Sequence, residues 1–165
     1  MSAPFGRIYS VIFTAVSATL AQDLFLLLPA ANKPISLHGF YLSNVGGTAD
    51  AGDAQEELLR IEIIYLPSTV TNGSGGTAPT VQPLNPNDAA AGCTARANDT
   101  TVATTGGTAV TKHADGFNVR IPYVYMPPPE DRIPCANANA LTIRLGTAPA
   151  DAILLSGTAI LEELF

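Results

Sequence analysis

Charge is what this sequence has least of. Lys, Arg, Asp and Glu make up 13% of its 165 residues, where about 25% is usual for a soluble domain. Yet 47% of the chain is hydrophobic, which separates it from disordered chains, whose charge is high and apolar content low. A surface so short of charge has to be covered by Thr, Ser, Asn, Gly and Ala, or by a partner. Eight Lys and Arg stand against fourteen Asp and Glu, a net charge of −6. The basic residues are scattered from Arg7 to Arg144 without a cluster. Binding to a nucleic-acid backbone rests on neutralising several phosphates, so direct nucleic-acid binding is not expected. Acidic character fits solubility or a basic protein partner and selects neither.

Long apolar runs are missing too. No stretch reaches the roughly 18 continuous apolar residues of a membrane-spanning helix, so no membrane partner is expected. Arg7 followed by "IYSVIFTAVSATLAQ", residues 8–22, has the outline of a short secretory segment with small residues near its end. Ser10, Thr14, Ser17 and Thr19 equally permit an ordinary strand. Two cysteines, Cys93 and Cys135, form no disulfide framework; they can pair or remain buried thiols.

Catalytic signatures are absent. The chain has no G-x-S-x-G, and its histidines are His38 and His113. The glycines at Gly73, Gly75 and Gly76 are not followed by the Gly-Lys-Ser/Thr of a phosphate loop. The one local histidine–carboxylate pair, His113 and Asp115, is a weak metal-ligand spacing, and a solvent-facing loop is the better reading. Asp50, Asp53, Glu56 and Glu57 lack the oxygen-ligand pattern of a calcium loop. Glu62 with Glu162 or Glu163 would suit a paired-carboxylate glycosidase only if their faces met. No catalytic residue, metal or cofactor is expected, and the chain is read as a non-enzyme.

What is present is period-two alternation. Residues 7–17 and 22–28 read as strands, with the "LFLLL" of 24–28 apolar enough for a buried sheet. In "PISLHGFYLS", residues 34–43, the alternation puts Ile35, Leu37, Gly39 and Tyr41 on one side and Ser36, His38, Phe40 and Leu42 on the other. Leu59, Ile61, Ile63 and Tyr65 alternate with Arg60, Glu62 and Ile64 up to Pro67, a firm strand. Residues 67–116 then hold no Phe, Tyr, Trp or Ile and a single leucine, Leu84. This Gly/Thr/Pro-rich stretch reads as a long excursion, with short extended pieces around Thr80–Leu84 and Thr94–Arg96. Loops of such length rarely stay structureless in a compact domain, so it is expected to pack along a neighbour or supply edge strands.

Phe117–Tyr125 reads as a strand with Phe117, Val119, Ile121 and Tyr123 on one side. "MPPPEDRIP", residues 126–134, leaves the sheet, because consecutive prolines remove backbone donors. Ala140–Leu145 is a strand, and Ile153–Phe165 is one bent strand or two short ones. With no repeat, no domain linker and no long helical period, residues 1–165 read as a single all-β domain. Its expected architecture is a two-sheet sandwich of jelly-roll type.

Arg60, Arg120 and Arg144 each fall inside an expected strand, where they can pair with Glu62, Glu162 or Glu163 in a cross-strand network or reach another subunit. Most of the aromatics alternate with aliphatic residues and read as core. Tyr125, beside Met126 and Pro127, Pro128 and Pro129, is the best candidate for an exposed interface anchor.

The segments "EELLRIEIIYLP", "TNGSGGTAPTVQPLNPNDAAAGCTARANDTT", "FNVRIPYVYMPPPEDR" and "LTIRLGTAPADAILLSGTAILEEL" together resemble small virion structural proteins of tailed bacteriophages and prophages, over roughly residues 34–164. The resemblance implies a β-sandwich head component, above all a capsid cement or decoration protein. Such a protein sits on the capsid exterior of a virion assembled in the host cytoplasm. It bridges neighbouring copies of the major capsid protein as a homo-oligomer, with three subunits around a local axis. A head-fibre or tail component, or a carbohydrate-binding appendage, is the alternative.

Overall fold

The computed structural model describes residues 6–46 and 57–164, built from two antiparallel sheets packed face to face. The first sheet contains β1 (Arg7–Ala18), β3 (Ile35–Asn44), β5 (Gln82–Pro83), β8 (Tyr123–Tyr125), β9 (Ile133–Cys135) and β11 (Ile153–Glu163). Its order is β5-β1-β11-β3-β8, with β9 also pairing β3. The second contains β2 (Gln22–Leu28), β4 (Leu58–Leu66), β6 (Thr94–Asp99), β7 (Val110–Asn118) and β10 (Ala140–Leu145), in the order β6-β2-β10-β4-β7. A 3-10 turn, Pro129–Asp131, lies between β8 and β9. No helix among the described residues is long and apolar enough to cross a membrane.

The alternation read from the sequence is what builds the core. β11 alternates buried and half-buried residues without a break, with Ile153, Leu155, Ala159 and Leu161 facing inward. Opposite them stand Phe25, Leu27, Leu59, Ile61, Ile63, Leu141 and Ile143 from the second sheet. Completely burying a side chain of this kind stabilises the fold by about 1.5–3 kcal/mol.

Two bulges keep the apolar side inward along the long strands. In β1 the register shifts between Phe13 and Val16, where Ala15 has φ 50° and donates its N–H to Ser156 Oγ at 2.9 Å. In β3, Leu161 opposes Leu37 and Ile160 opposes Gly39, so His38 is the extra residue. Such an insertion re-aims everything that follows it. Ile35 and Leu37 face the core before the bulge, and Phe40 and Leu42 face it after, while Tyr41 turns outward at 42% exposure. Strict alternation from Ile35 to Tyr41 is thereby corrected. The bulge also brings the chain close to its neighbour: a Cβ on Gly39 would collide with the Tyr125 carbonyl oxygen and Met126 Sδ.

The expected strand Phe117–Tyr125 is two strands in different sheets. β7 ends at Asn118, whose carbonyl accepts from the Ile121 N–H at 3.1 Å, and β8 begins at Tyr123 after a turn. Val119 is buried but Ile121 is 62% exposed. Pro122 has no N–H to give a ladder, so the chain crosses from one sheet to the other here.

The 67–116 excursion is ordered. Its end belongs to β7, and its two expected extended pieces fall at β5 and β6. The chain leaving β4 pairs with β6 and the segment after it in a loose ribbon, with reciprocal backbone bonds joining Thr71 to Thr104, Ser74 to Thr101 and Thr77 to Ala97 at 2.9–3.0 Å. This strap lies on the outer side of the second sheet. There Leu26, Ile64, Leu66 and Ala140 form a separate apolar cluster with Ala103 of the strap, and Val70 packs against it. Beyond the ribbon the chain buries Val81 in the main core and pairs β5 with β1, so it wraps the edge shared by the two sheets.

Candidate functional site

The strap covers the outer side of the second sheet, and among the described residues nothing covers the outer side of the first. Ile12, Thr158, Tyr41 and Val124 lie in one cross-strand row over β1, β11, β3 and β8, each in register with the next. Ile12 is 50% exposed and Val124 is 54% exposed. Ser156 and Ser43 oppose each other beside this row. Around it is a shallow depression of about 310 Å³, to which Phe13, Pro122 and Gly157 also contribute and, among the described residues, no charged side chain does. Met126, 48% exposed, follows Val124 out of the sheet edge. An open apolar sheet face rimmed by hydroxyls, with no charge at its centre, is suited to contact with another protein surface.

The proline-rich anchor divides between this face and the core. The Tyr125 ring stacks on Phe40 at 5.4 Å and lies 4.5 Å from the His113 ring, half-buried. Burial, with Asp131 second, raises its hydroxyl pKa. Met126, Pro128 and Pro129 are exposed and Pro127 is half-buried. The exposed members of this segment are therefore its methionine and prolines, with the tyrosine turned toward the inside.

The arginines and glutamates of the expected network are distributed over separate pairs. Arg60 Nε lies 3.3 Å from Glu62 Oε1 on the same strand, and Arg60 Nη2 donates to the Gly146 carbonyl at 3.2 Å. At its exposed position this pair contributes little to stability. Arg144, in register beside Glu62, reaches the other way, to Asp23. Arg120 is in the turn after β7, its N–H on Asn118 Oδ1 at 2.9 Å, and not in a strand. Glu162 Oε2 meets His38 Nε2 at 2.8 Å on the outer side of the first sheet. Glu163 points inward, so the two glutamates do not share a face. It accepts from the N–H groups of Gly92 and Cys93 at 2.9 Å each, and from Lys33 Nζ at 3.3 Å.

His113 and Asp115 do converge, on a tyrosine. His113 Nε2 is 3.0 Å from the Tyr123 hydroxyl, which donates to Asp115 Oδ2 at 3.3 Å. Burial first and Asp115 second push that phenol up to about 12. This cluster closes the gap between β7 and β8. Among the described residues no group of three or more His, Cys, Asp or Glu could hold a metal ion. Asp50, Asp53 and Glu56 lie outside the described residues, whereas Glu57 Oε1 accepts from the Ala150 N–H at 2.6 Å. Cys93 and Cys135 are buried free thiols, raised to about 11 and about 12, the first by burial and then Glu163, the second by burial.

Three charged residues that tie the strap down were not singled out in the sequence: Asp23, Arg96 and Asp99. Asp23 and Asp99 are each 1% exposed. Arg144 Nε and Arg96 Nε bind them at 2.6 Å, and both arginines add a second bond to the same carboxylate. Burial of an aspartate inside the apolar run "QDLFLLL" was the available signal, since such a group is tolerated only with a partner. Comparison of the chain with protein-family models, with curated proteins and with solved structures found no match.

Proposed function

We propose that this chain is a non-enzymatic structural protein of a bacteriophage virion, a capsid cement or decoration protein that docks the bare face of its first sheet on neighbouring major capsid proteins. The observation that carries the docking role is the row Ile12–Thr158–Tyr41–Val124, an apolar sheet face left uncovered while the opposite face is sealed by the strap. The strand order supports the viral part of the reading. β1-β11-β3-β8 against β2-β10-β4-β7 interleaves strand pairs as the two Greek keys of a jelly roll do, an architecture of viral capsid domains and of lectins. Fold alone does not choose between those uses. The phage assignment rests on the sequence resemblance, and the scarcity of charged residues, 13%, agrees with a surface shared with partners.

The role is mechanical: contacts are spread over adjoining shell units, disfavouring their separation under the pressure of a packaged genome. Oligomerisation around a local capsid axis places several such faces on the shell together. The test is addition of the protein to empty shells of the major capsid protein encoded with it. Cryo-EM density repeated at capsomer junctions, with a higher shell melting temperature, is the expected result. Shells that stay unoccupied and melt unchanged overturn the reading. Retained affinity of the isolated protein for a glycan, lost on Tyr41→Ala, would then favour a carbohydrate-binding appendage.

A further inference from the structure

In a chain with more acidic than basic residues, five of the eight lysines and arginines have a described carboxylate beside them. Arg7, Lys33, Arg60, Arg96 and Arg144 each have one within 3.9 Å. Lys112 and Arg132 have no ion pair with any described residue, and both line the same cavity. It is an opening of about 410 Å³ between the two sheets, walled by Tyr65 and Lys112 from the second sheet and by Arg132, Ile133 and Pro134 from the first. Among the described residues no acidic side chain lines it. Lys112 Nζ sits 5.7 Å from the centre of the Tyr65 ring, within range of a cation–π contact.

Arg132 is held in place without a direct ion pair to a described residue, although the Glu162 carboxylate shares its histidine. Its Nη1 lies 3.1 Å from His38 Nε2, the same nitrogen that meets Glu162 Oε2 at 2.8 Å. One ring nitrogen either donates or accepts, so His38 cannot serve Glu162 and Arg132 together. Arg132 Nε is buried and has no hydrogen-bond partner at all. A guanidinium, a lysine ammonium and apolar walls in one cavity make a receptor for a negatively charged oxygen group.

We propose that this opening binds a small oxyanion, a carboxylate or phosphate carried on a compact apolar or unbranched body, with Arg132 and Lys112 as its charge partners and Tyr65, Ile133 and Pro134 as its walls. The site is separate from the bare sheet face and does not depend on the capsid reading. Glutarate and inorganic phosphate are the two probes, titrated into the intact protein at constant ionic strength set with sodium chloride, while amide resonances are followed by NMR. Saturable shifts confined to the amides around Lys112 and Arg132–Pro134 are expected with at least one probe, and which one responds assigns carboxylate or phosphate. Lys112→Met, at an exposed position that leaves the fold intact, weakens that binding about tenfold. Arg132→Gln weakens it as well, and Arg7→Met leaves it unchanged. The proposal is overturned if neither probe gives a saturable local shift, or if Lys112→Met binds as tightly as the parent.

Discussion

Asp23 and Asp99 oppose each other in register across β2 and β6, two buried carboxylates side by side, each neutralised by its own arginine. Both pairs also grip the strap. Asp23 Oδ2 accepts the Ala103 N–H at 2.7 Å while Arg144 Nη2 donates to the Ala103 carbonyl at 3.3 Å, and Asp99 Oδ1 accepts the Gly76 N–H at 3.0 Å. Removing one member leaves the other buried and unpaired, which costs about 3 kcal/mol or more. Arg144→Met is therefore expected to lower the urea midpoint strongly and to expose residues 67–109 to limited proteolysis before the rest of the chain. A variant that resists the protease as the parent does would show that the pair does not hold the strap.

Tyr125 and Val124 are neighbours in sequence with opposite duties. Tyr125→Ala removes a ring packed on Phe40 and His113, and a loss of about 3 kcal/mol in unfolding free energy is expected. Val124→Lys or Ile12→Lys places a charge on the bare face and is expected to change stability by no more than about 0.5 kcal/mol. Either lysine should instead abolish shell binding. Calorimetry and shell co-sedimentation on the same variants separate the two effects; equal unfolding of all three would assign the bare face to the fold.

Gly39→Ala tests the bulge in β3. The added methyl meets the Tyr125 carbonyl oxygen and Met126 Sδ, and overpacking of this kind costs about 1–3 kcal/mol. The expected signature is local: faster amide exchange in β8 than in β10, measured by hydrogen exchange. Unchanged protection of β8 would mean the neighbouring strand yields without loss.

High pH should destabilise the protein through its buried acids. Cys93, Cys135 and Tyr123 hold their protons to about 11, 12 and 12, against ordinary values of 9.0, 9.0 and 10.0. Above pH 9 the unfolded chain releases protons that the folded chain retains, so stability falls as pH rises through 9 to 12 and is unaffected by these groups below that window. A Cys93→Ala, Cys135→Ala double variant is expected to lose less of its urea midpoint between pH 7.5 and 10.5 than the parent. Equal losses would remove the thiols from the account. In the parent, thiol reagents should react only as fast as the chain opens, because the thiolate is the reactive form.

The parts of the fold that the sequence makes legible are those where each residue's side is set by hydrophobicity alone. β2, β4, β10 and β11 are of this kind, most of their inward positions being large aliphatic or aromatic residues. β7 was hidden because it is an edge strand: over Val110–Asn118 only Phe117 is fully buried, and Lys, His, Asp and Gly fill most other places. β6 was half hidden because its inward residues are alanines, Ala95 and Ala97. The side inversion after His38 depends on which residue the partner strand skips, a fact of pairing and not of composition. The candidate site was less legible still. The proline segment follows β8 at one edge of the proposed face, but that face is assembled from four strands widely separated along the chain, and no local pattern announces it.

In the proposed docking role, a body with one sealed face and one docking face has a direction. Stacking through sheet faces ends after a single contact, because the strap leaves nothing on the far side for the next molecule to hold. In that proposed role the unit tiles a surface one layer deep and does not thicken it by stacking sheet on sheet. The fifty glycine-, threonine- and proline-rich residues that look dispensable in the sequence thus act as a stop signal, built from the chain itself, for any assembly that the opposite face begins.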